Sequence, residues 1–325
     1  MSPPLISAEG VSRSFNVRSG LFKRRHDLFA VRDVDLVIHP GEAVGIVGES
    51  GCGKSTLGRL LLGFMRPTAG RVLFEGRDLA GLPPRALRMT RRNMQMIFQD
   101  PYGSLDPRRR VGSQIADGLR VHSIVPAREI EAEIGRLLTQ VGLDAAHAAR
   151  LPHEFSGGQR QRIAIARALA TRPDFIVADE PVSALDVSIQ AHIVNLLADL
   201  RARLGMALLF ISHDLHVVRH LCDRVAVMYL GRIVEEGPAA AIFHAPHHPY
   251  TRALLGATPS LRRGERDIAD ALSGDLPSPL DPPSGCGFRT RCPIATGACA
   301  DMPPPLKSDG NNRRVACLRA GERPA

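Results

Sequence analysis

Residues 48–55 place three glycines, a lysine and a hydroxyl in a fixed order directly after the apolar residues 43–47. Glycines let successive backbone N–H groups turn inward on an anion, a lysine can reach phosphate oxygens, and a hydroxyl can ligate Mg²⁺. A helix predicted to start at this point would direct its positive end at the same anion. The sequence therefore predicts a site for the phosphates of a nucleotide, formed by Gly48, Glu49, Ser50, Gly51, Cys52, Gly53, Lys54 and Ser55, with Thr56 in the first turn of the helix.

A second apolar stretch, residues 175–178, ends in the two acids Asp179 and Glu180. Hydrolysis of a nucleoside triphosphate needs a metal ion and a water held in line with the γ-phosphate. We expect Asp179 to hold the water shell of Mg²⁺ and Glu180 to orient the attacking water. The alternative is an acidic strand end that only caps the next helix.

Several polar motifs accompany these two stretches in a fixed order along the chain. They are Gln99, then Ser156, Gly157, Gly158 and Gln159, then Ser183, Ala184, Leu185 and Asp186, and finally His213. Together with the phosphate loop and the paired acids, this order resembles the ATPase subunit of an ABC transporter, over roughly residues 5–240. The Ser-Gly-Gly-Gln sequence carries most of the specificity. Phe155 stands where the family most often has leucine, which preserves an apolar packing residue.

The resemblance implies roles for the polar residues of one subunit. Gln99 would contact Mg²⁺ and the water and relay the nucleotide state to a membrane partner. Ser55 and Asp179 would complete the protein side of the Mg²⁺ site. His213, which follows an apolar strand, would hydrogen-bond the γ-phosphate and the water beside Glu180.

The resemblance also implies a dimer, because the signature sequence acts on the ATP bound to a second subunit. Ser156 and Gly157, at the start of a helix with Gly158 and Gln159, would meet that γ-phosphate. Asp186 would steady the dimer near the opposing site. Phe15 is the candidate for stacking on adenine, with Phe22 or Phe29 as alternatives.

The second half of the chain narrows the resemblance to the dipeptide and oligopeptide importer ATPases. The similar segments are residues 15–30, 99–107, 247–255, 276–283 and 285–317. This implies a second, homologous ATPase subunit as partner, two transmembrane permease subunits and a periplasmic or extracellular solute-binding protein. Importers of nickel, glutathione and other peptide-like solutes share these features, so the solute stays open.

Four cysteines near the C-terminus are separated by five, six and seventeen residues in a segment rich in Pro and Gly: Cys286, Cys292, Cys299 and Cys317. Four thiolates in a segment with a poor core suggest a metal site, although the spacing fits no zinc ribbon, which needs close pairs. Some importers of the resembled group carry a [4Fe-4S] cluster on matching cysteines. The open readings are such a cluster, zinc, or reduced structural thiols.

Composition limits the remaining function classes. The 325 residues carry 42 basic and 33 acidic side chains, a net charge of +9 that suits ATP, an anionic membrane surface or nucleic acid. Aromatic residues make up only 4% and tryptophan is absent, which disfavours stacking on single-stranded nucleic acid. Each motif occurs once, whereas nucleic-acid and ribosome-associated relatives usually carry two cassettes or long inserts. We therefore expect no nucleic-acid partner.

We expect a cytosolic chain that acts at the cytoplasmic face of the membrane as a peripheral subunit. No run of 18 apolar residues exists, and residues 1–15 lack the pattern of a signal peptide. In a reducing compartment, six cysteines do not indicate a disulfide framework.

Alternating strands and helices predict an α/β fold with a mostly parallel, helix-covered sheet. Strands are predicted at residues 5–11, 31–38, 43–47, 71–75, 93–98, 175–180 and 207–211, with a hairpin at 224–236 and a basic loop at 18–27. The resemblance implies the phosphate-loop NTPase fold of ABC ATPases, with an N-terminal antiparallel β subdomain, a helical subdomain at about 100–165 and a Cys- and Pro-rich extension. The predicted domains are residues 1–240 and 241–325.

Overall fold

The chain folds into two β-sheets with helices packed against them. A computed structural model describes residues 3–18, 25–183, 185–257, 275–310 and 312–322. The smaller sheet is four-stranded and antiparallel, in the order β2-β1-β4-β5. Its strands are β1 (Ile6–Arg18), β2 (Arg25–Ile38), β4 (Ala69–Phe74) and β5 (Arg77–Asp78). This is the N-terminal antiparallel β subdomain that the motif order implies.

The larger sheet is eight-stranded, in the order β11-β12-β10-β9-β3-β8-β7-β6. Its strands are β3 (Ala43–Val47), β6 (Met94–Ile97), β7 (Phe175–Asp179), β8 (Ala207–Ile211), β9 (Arg224–Tyr229), β10 (Arg232–Pro238), β11 (Lys307–Ser308) and β12 (Arg314–Val315). Strands β6, β7, β8, β3 and β9 run parallel, and β10, β12 and β11 add antiparallel pairs at one end. The predicted mostly parallel sheet is confirmed.

The central strands are buried on both faces because each face meets a different layer. Side chains alternate between the two faces of a strand, so Val44 and Ile46 of β3 pack with the antiparallel sheet and the helix after the phosphate loop. Ala43 and Val47 of the same strand pack with the core formed by most of the other helices. The helices are α1 (Lys54–Leu61), α2 (Pro84–Arg92), α3 (Pro101–Ser104), α4 (Val111–Val121), α5 (Ile130–Gln140), α6 (Gly157–Leu169), α7 (Val187–Leu204), α8 (Leu215–Leu221), α9 (Ala239–His244) and α10 (Pro249–Gly256).

The predicted loop at residues 18–27 was too long. Strand β1 continues to Arg18 and β2 begins at Arg25, and the two pair in register as far as Arg18 and Arg25. The charged residues of this stretch show no apolar alternation, so the sequence pattern did not indicate strands there. Two strands can pair through their backbones without such alternation. The helical segment from α3 to α6 lies where the sequence predicted helices, and α4, α5 and α6 share the core on one face of the larger sheet.

The C-terminal segment is joined to the ATPase sheet rather than appended through a linker alone. Strand β12 pairs with β10 at Glu235↔Val315 and Glu236↔Arg314, and β11 pairs with β12. The sequence did not indicate these strands, because each is only two residues long. The predicted domain boundary at residues 240 and 241 stays a prediction.

Buried ion pairs fix the edge of the sheet where the C-terminal segment joins. Glu236, which is 2% exposed, accepts hydrogen bonds from Arg224 and from Arg314 of β12. Arg224 also donates to Glu42 at 2.8 Å and to the carbonyl of Val37 in β2. One carboxylate therefore links β9, β10 and β12, and Arg224 extends the network to β2.

We expect Glu236→Gln to lower the free energy of unfolding by about 3 kcal/mol, the lower end for a broken buried ion pair, because Arg314 loses its carboxylate partner while Arg224 keeps Glu42. The matched control is Glu9→Gln, which breaks the exposed pair between Glu9 and Arg71 and should cost less than about 1 kcal/mol. Denaturant unfolding of the purified chain measures both. Equal losses in the two variants would contradict the assigned role of Glu236.

Candidate nucleotide-binding site

Four of the predicted site motifs lie at the carboxyl ends of neighbouring parallel strands. The phosphate loop follows β3, His213 follows β8, and Gln99 follows β6. Asp179 ends β7, and Glu180 comes directly after it. The carboxyl ends of parallel strands share one edge of a sheet, where α/β proteins bind ligands. The order β3-β8-β7-β6 thus brings together side chains that are far apart in sequence.

The phosphate loop fits its surroundings only with glycine at two positions. A Cβ atom on Gly48 would lie 2.1 Å from the carbonyl oxygen of Met228, and one on Gly53 would lie 2.0 Å from that of Ala30. Gly53 also has a φ of +106°, in the region that favours glycine. The buried ammonium of Lys54 donates to the carbonyls of Gly48 and Glu49, at 2.8 and 3.0 Å. The lysine thus lies folded along the inside of its own loop, where the phosphates of a nucleotide would meet it.

Ser55 and Asp179 form the candidate Mg²⁺ side of the site. The Ser55 hydroxyl donates to a carboxylate oxygen of Asp179 at 2.8 Å. Burial raises the pKa of Asp179, and the hydrogen bond from Ser55 opposes that rise. Two oxygen donors beside the phosphate loop fit Mg²⁺, which is usually bound by one or two protein oxygens together with phosphates and water.

Glu180 makes contact with both of the other predicted catalytic residues. Gln99 donates from Nε2 to its Oε2 at 3.0 Å, and His213 Nδ1 lies 3.5 Å from the same oxygen. The backbone of Glu180 has a φ of +46°, a left-handed conformation that is strained for a residue with a side chain and clusters at functional sites. Glu180, Gln99 and His213 therefore form one group of contacting polar side chains at the edge of the sheet.

The signature sequence lies at the exposed beginning of α6. Ser156 caps this helix by accepting from the Gln159 N–H at 3.3 Å, while the Gln159 side chain accepts from the Ser156 N–H at 2.9 Å. Gly158 is buried against Ile189 of α7, so a side chain there would collide with it. The fold thus fixes the helix start and leaves the Ser156 side open to a ligand or a partner.

Asp186 is exposed and caps α7. Its carboxylate accepts from the Ile189 N–H and the Ser188 hydroxyl, both at 2.9 Å, and these hydrogen bonds lower its pKa. The neighbouring Val187 is 81% exposed, which is unusual for a large apolar side chain.

Phe15 and Phe29 both remain candidates for contact with adenine. Phe15 is half-buried in β1 with the Arg13 guanidinium 4.9 Å from its ring centre, and Phe29 carries Arg32 at 4.7 Å. Phe22 lies outside the residues that the structure describes.

Two residues of the C-terminal segment contact the phosphate loop, and neither was predicted from the sequence. The Tyr250 hydroxyl accepts from the Glu49 N–H at 2.9 Å, and Arg291 forms an ion pair with the Glu49 carboxylate. Tyr250 lies in a stretch that carries the resemblance to peptide importers, but its spacing gives no sign of a contact 201 residues away. Arg291 gives no signal beyond its position next to Cys292.

The four C-terminal cysteines line one small cavity together with His248 and Phe288. All are free thiols, and burial raises the pKa of Cys286 and Cys292 and raises that of Cys317 to about 11. Over the described ranges, no three His, Cys, Asp or Glu side chains are arranged so that they could hold a metal ion. The Cys₄ donor set has the chemistry of an iron–sulfur ligand set, but the predicted metal site is not supported by this geometry.

Cys52 lies inside the phosphate loop but is only 1% exposed. Burial raises the pKa of its thiol, and the nearby Lys54, 3.9 Å away, opposes that rise. A protonated, buried thiol is inert, which favours a tolerated loop residue over an oxidation-sensitive one.

Sequence comparisons place these motifs in a known family. The profile described as "ABC transporter" matches residues 31–183, and that described as "Oligopeptide/dipeptide transporter, C-terminal region" matches residues 234–299. A putative peptide import ATP-binding protein of Brucella ovis is 51% identical over 97% of this chain and 98% of its own length. The oligopeptide transport ATP-binding protein AppF of Bacillus subtilis is 48% identical over 96% of both chains. The dipeptide transport ATP-binding protein DppF of Escherichia coli is 46% identical over 98% of this chain and 95% of its own.

Solved structures agree with the sequence comparisons. A dimeric ATP-binding cassette, MJ0796, in a post-hydrolysis state with ADP and Pi, superposes with a TM-score of 0.65 at 28% identity, covering 72% of this chain and 98% of that one. Protein cbiO1 of Clostridium perfringens, part of an ABC transporter complex, gives a TM-score of 0.64 at 28% identity over 74% of this chain and 91% of its own. This chain belongs to the ABC transporter family and is an ATP-hydrolysing cassette with the C-terminal region of the oligopeptide/dipeptide transporters. Among the described residues, no helix is both long and apolar enough to span a membrane.

We expect Cys52 and Cys222 to resist iodoacetamide at pH 7.5 in the folded chain, because both thiols are buried and burial raises the pKa of each. Peptide mapping by mass spectrometry after timed alkylation measures each site. Both should react fully once the chain is unfolded, which serves as the control. Alkylation of native Cys52 at the rate of a free thiol would contradict its burial.

Proposed function

We propose that the chain is the energy-coupling ATPase of a bacterial importer of dipeptides or oligopeptides. The observation that carries this proposal is similarity over nearly the whole chain to peptide import ATP-binding proteins, including the C-terminal region. Importers of nickel, glutathione or another peptide-like solute are the second candidate, since the resembled features are shared. The solute itself would contact other subunits.

In this proposal each of the described site residues has its own role in ATP hydrolysis. The phosphate loop and Lys54 would bind the β- and γ-phosphates. Mg²⁺ would neutralise the phosphate charge, and it would be held by Ser55, Gln99 and Asp179. Glu180 accepts a proton from the attacking water as general base, and His213 orients the water and the γ-phosphate. The contacts of Glu180 with Gln99 and His213 support this assignment, because a general base must be held by its neighbours.

The exposure of Ser156 and Asp186 supports the proposal that a second subunit completes the site. Ser156 and Gly157 would bind the γ-phosphate of the partner's ATP at a helix N-terminus, while Asp186 and the exposed Val187 would lie in the interface. We propose that the partner is a homologous ATPase, and that the pair binds two permease subunits at the cytoplasmic face of the membrane. A periplasmic or extracellular solute-binding protein delivers the solute. We propose no nucleic-acid partner.

We expect Glu180→Gln to reduce ATP hydrolysis by roughly 10²- to 10⁴-fold, the contribution of a general base, while ATP binding is retained. Phosphate release and nucleotide titration of the assembled transporter measure the two effects. Glu131→Gln, an exposed substitution on α5, is the matched control and should leave both unchanged. Full turnover by Glu180→Gln would refute the catalytic assignment.

Uptake in cells tests the peptide assignment separately from the chemistry. A strain that carries only Glu180→Gln should fail to grow on a dipeptide or oligopeptide as the source of a required amino acid, while the Glu131→Gln strain grows. Growth of the Glu180→Gln strain on peptides, together with lost uptake of nickel or glutathione, would favour the second candidate.

For the cysteines we propose a [4Fe-4S] cluster on Cys286, Cys292, Cys299 and Cys317, with zinc or reduced thiols as the alternatives. The proposal rests on the Cys₄ donor set and on the cavity that all four side chains line. It requires the thiols to move closer together than they lie in the structure, where no three described side chains could hold a metal ion. Burial raises the pKa of Cys317, and the neighbouring Cys286, Cys292 and Cys299 add to that rise. A bound cationic group would favour the thiolate. The cluster would serve as a structural staple, and no catalytic step passes through it.

We expect anaerobically purified protein to contain about four iron and four sulfide per chain, as a [4Fe-4S] cluster requires. Cys292→Ser should lose them, whereas Cys222→Ser, a cysteine outside the cavity, should retain them. Iron-free protein that folds normally, with or without zinc, would rule the cluster out.

A further inference from the structure

The C-terminal segment forms a buried ion pair with the phosphate loop. The two terminal nitrogens of Arg291 donate to the two carboxylate oxygens of Glu49, at 2.8 and 3.0 Å. This is the bidentate arrangement that gives arginine–carboxylate pairs their strength and their fixed geometry. The Arg291 side chain is 5% exposed and that of Glu49 is 22% exposed, so water screens the pair only weakly.

Glu49 occupies a sensitive position in the loop. It is the one acidic residue of residues 48–55, a loop that must receive an anion. Its backbone is held as well, because its carbonyl accepts from Lys54 Nζ at 3.0 Å and its N–H donates to the Tyr250 hydroxyl at 2.9 Å. Any movement of Glu49 therefore moves the hydrogen-bond partner of the phosphate-binding lysine.

A cluster of aromatic side chains holds Arg291 in place. The Arg291 guanidinium donates to the Tyr229 hydroxyl at 3.4 Å, and the Arg291 backbone N–H donates to the Phe288 carbonyl at 3.0 Å. The rings of Tyr229, Tyr250 and Phe288 contact one another with centroids 4.5–5.5 Å apart. The proximity of Glu49 raises the pKa of Arg291, as expected for a cation held against a carboxylate.

We propose that Arg291 is a positioning residue for nucleotide binding: it neutralises Glu49 and fixes the phosphate loop in the conformation that accepts ATP. The C-terminal segment is thereby a part of the nucleotide site. This inference requires only the ATP binding that family membership establishes, so it stands or falls independently of peptide import.

The charge of Glu49 determines the direction in which the loss of Arg291 changes the affinity for ATP. Without Arg291, the Glu49 carboxylate stays in the loop as an unpaired negative charge beside the phosphates, and repulsion weakens binding. Removal of Glu49 as well abolishes this repulsion. The double substitution should therefore bind ATP more tightly than the arginine substitution alone, which a purely structural role of Arg291 does not predict.

The test measures the dissociation constant of MgATP for the full chain with four variants: Arg291→Gln, Glu49→Gln, the two combined, and Arg289→Gln. Arg289 is the matched control, since it lies in the same segment and its guanidinium binds Ser284. We expect Arg291→Gln to raise the dissociation constant roughly three- to thirtyfold, Arg289→Gln to leave it unchanged, and the double variant to recover part of the loss. Thermal unfolding without nucleotide checks that each variant is folded.

Two outcomes would overturn the proposal: Arg291→Gln that binds as tightly as Arg289→Gln, and a double variant that binds no better than Arg291→Gln. If Arg291→Gln does not fold, Arg291→Lys decides. Lysine retains the charge but loses the bidentate geometry, so a smaller increase of the dissociation constant is expected, and an unchanged constant overturns the proposal.

Discussion

The phosphate loop is packed so closely against β2 and β9 that two of its positions have no space for a side chain. The carbonyls of Ala30 and Met228 lie where Cβ atoms on Gly53 and Gly48 would be. The loop can therefore keep its shape only while both sheets hold these carbonyls in place. Both sheets are needed to meet this constraint. The antiparallel sheet holds the carbonyl of Ala30 against the loop, and the larger sheet holds that of Met228 and also positions the strand ends with the catalytic groups.

Ion pairs extend the same constraint to the C-terminal segment. Glu236 joins Arg224 of the ATPase sheet to Arg314 of β12, and Glu49 joins the loop to Arg291. Both pairs cross from one segment of the chain to another that is distant in sequence, and both are largely shielded from water. Cys292 follows Arg291 directly, so the cysteine group and the residue paired with the phosphate loop lie in one short segment.

Local patterns predicted the parts of the fold in which short-range chemistry decides the structure. The apolar run of β3, the glycine loop after it and the helix that begins at Lys54 were visible because a buried strand, a phosphate loop and a helix each have a local signal. The paired ends of β1 and β2 were missed at residues 12–18 and 25–30, since their polar and charged residues show no regular alternation. Strands β11 and β12 were missed because two residues carry no period.

The sequence by itself determined that this chain binds a nucleotide and belongs with ABC transporter ATPases, because those conclusions rest on residue types at fixed spacing. Only the tertiary structure decided which side chains meet. Gln99 and His213 reach the same carboxylate oxygen of Glu180 because β6, β7 and β8 are neighbours in the sheet. Arg291 reaches Glu49 across 242 positions of the chain because the edge strands and the aromatic cluster fold the C-terminal segment back onto the loop. Such contacts depend on packing between distant segments, for which spacing along the chain holds no information.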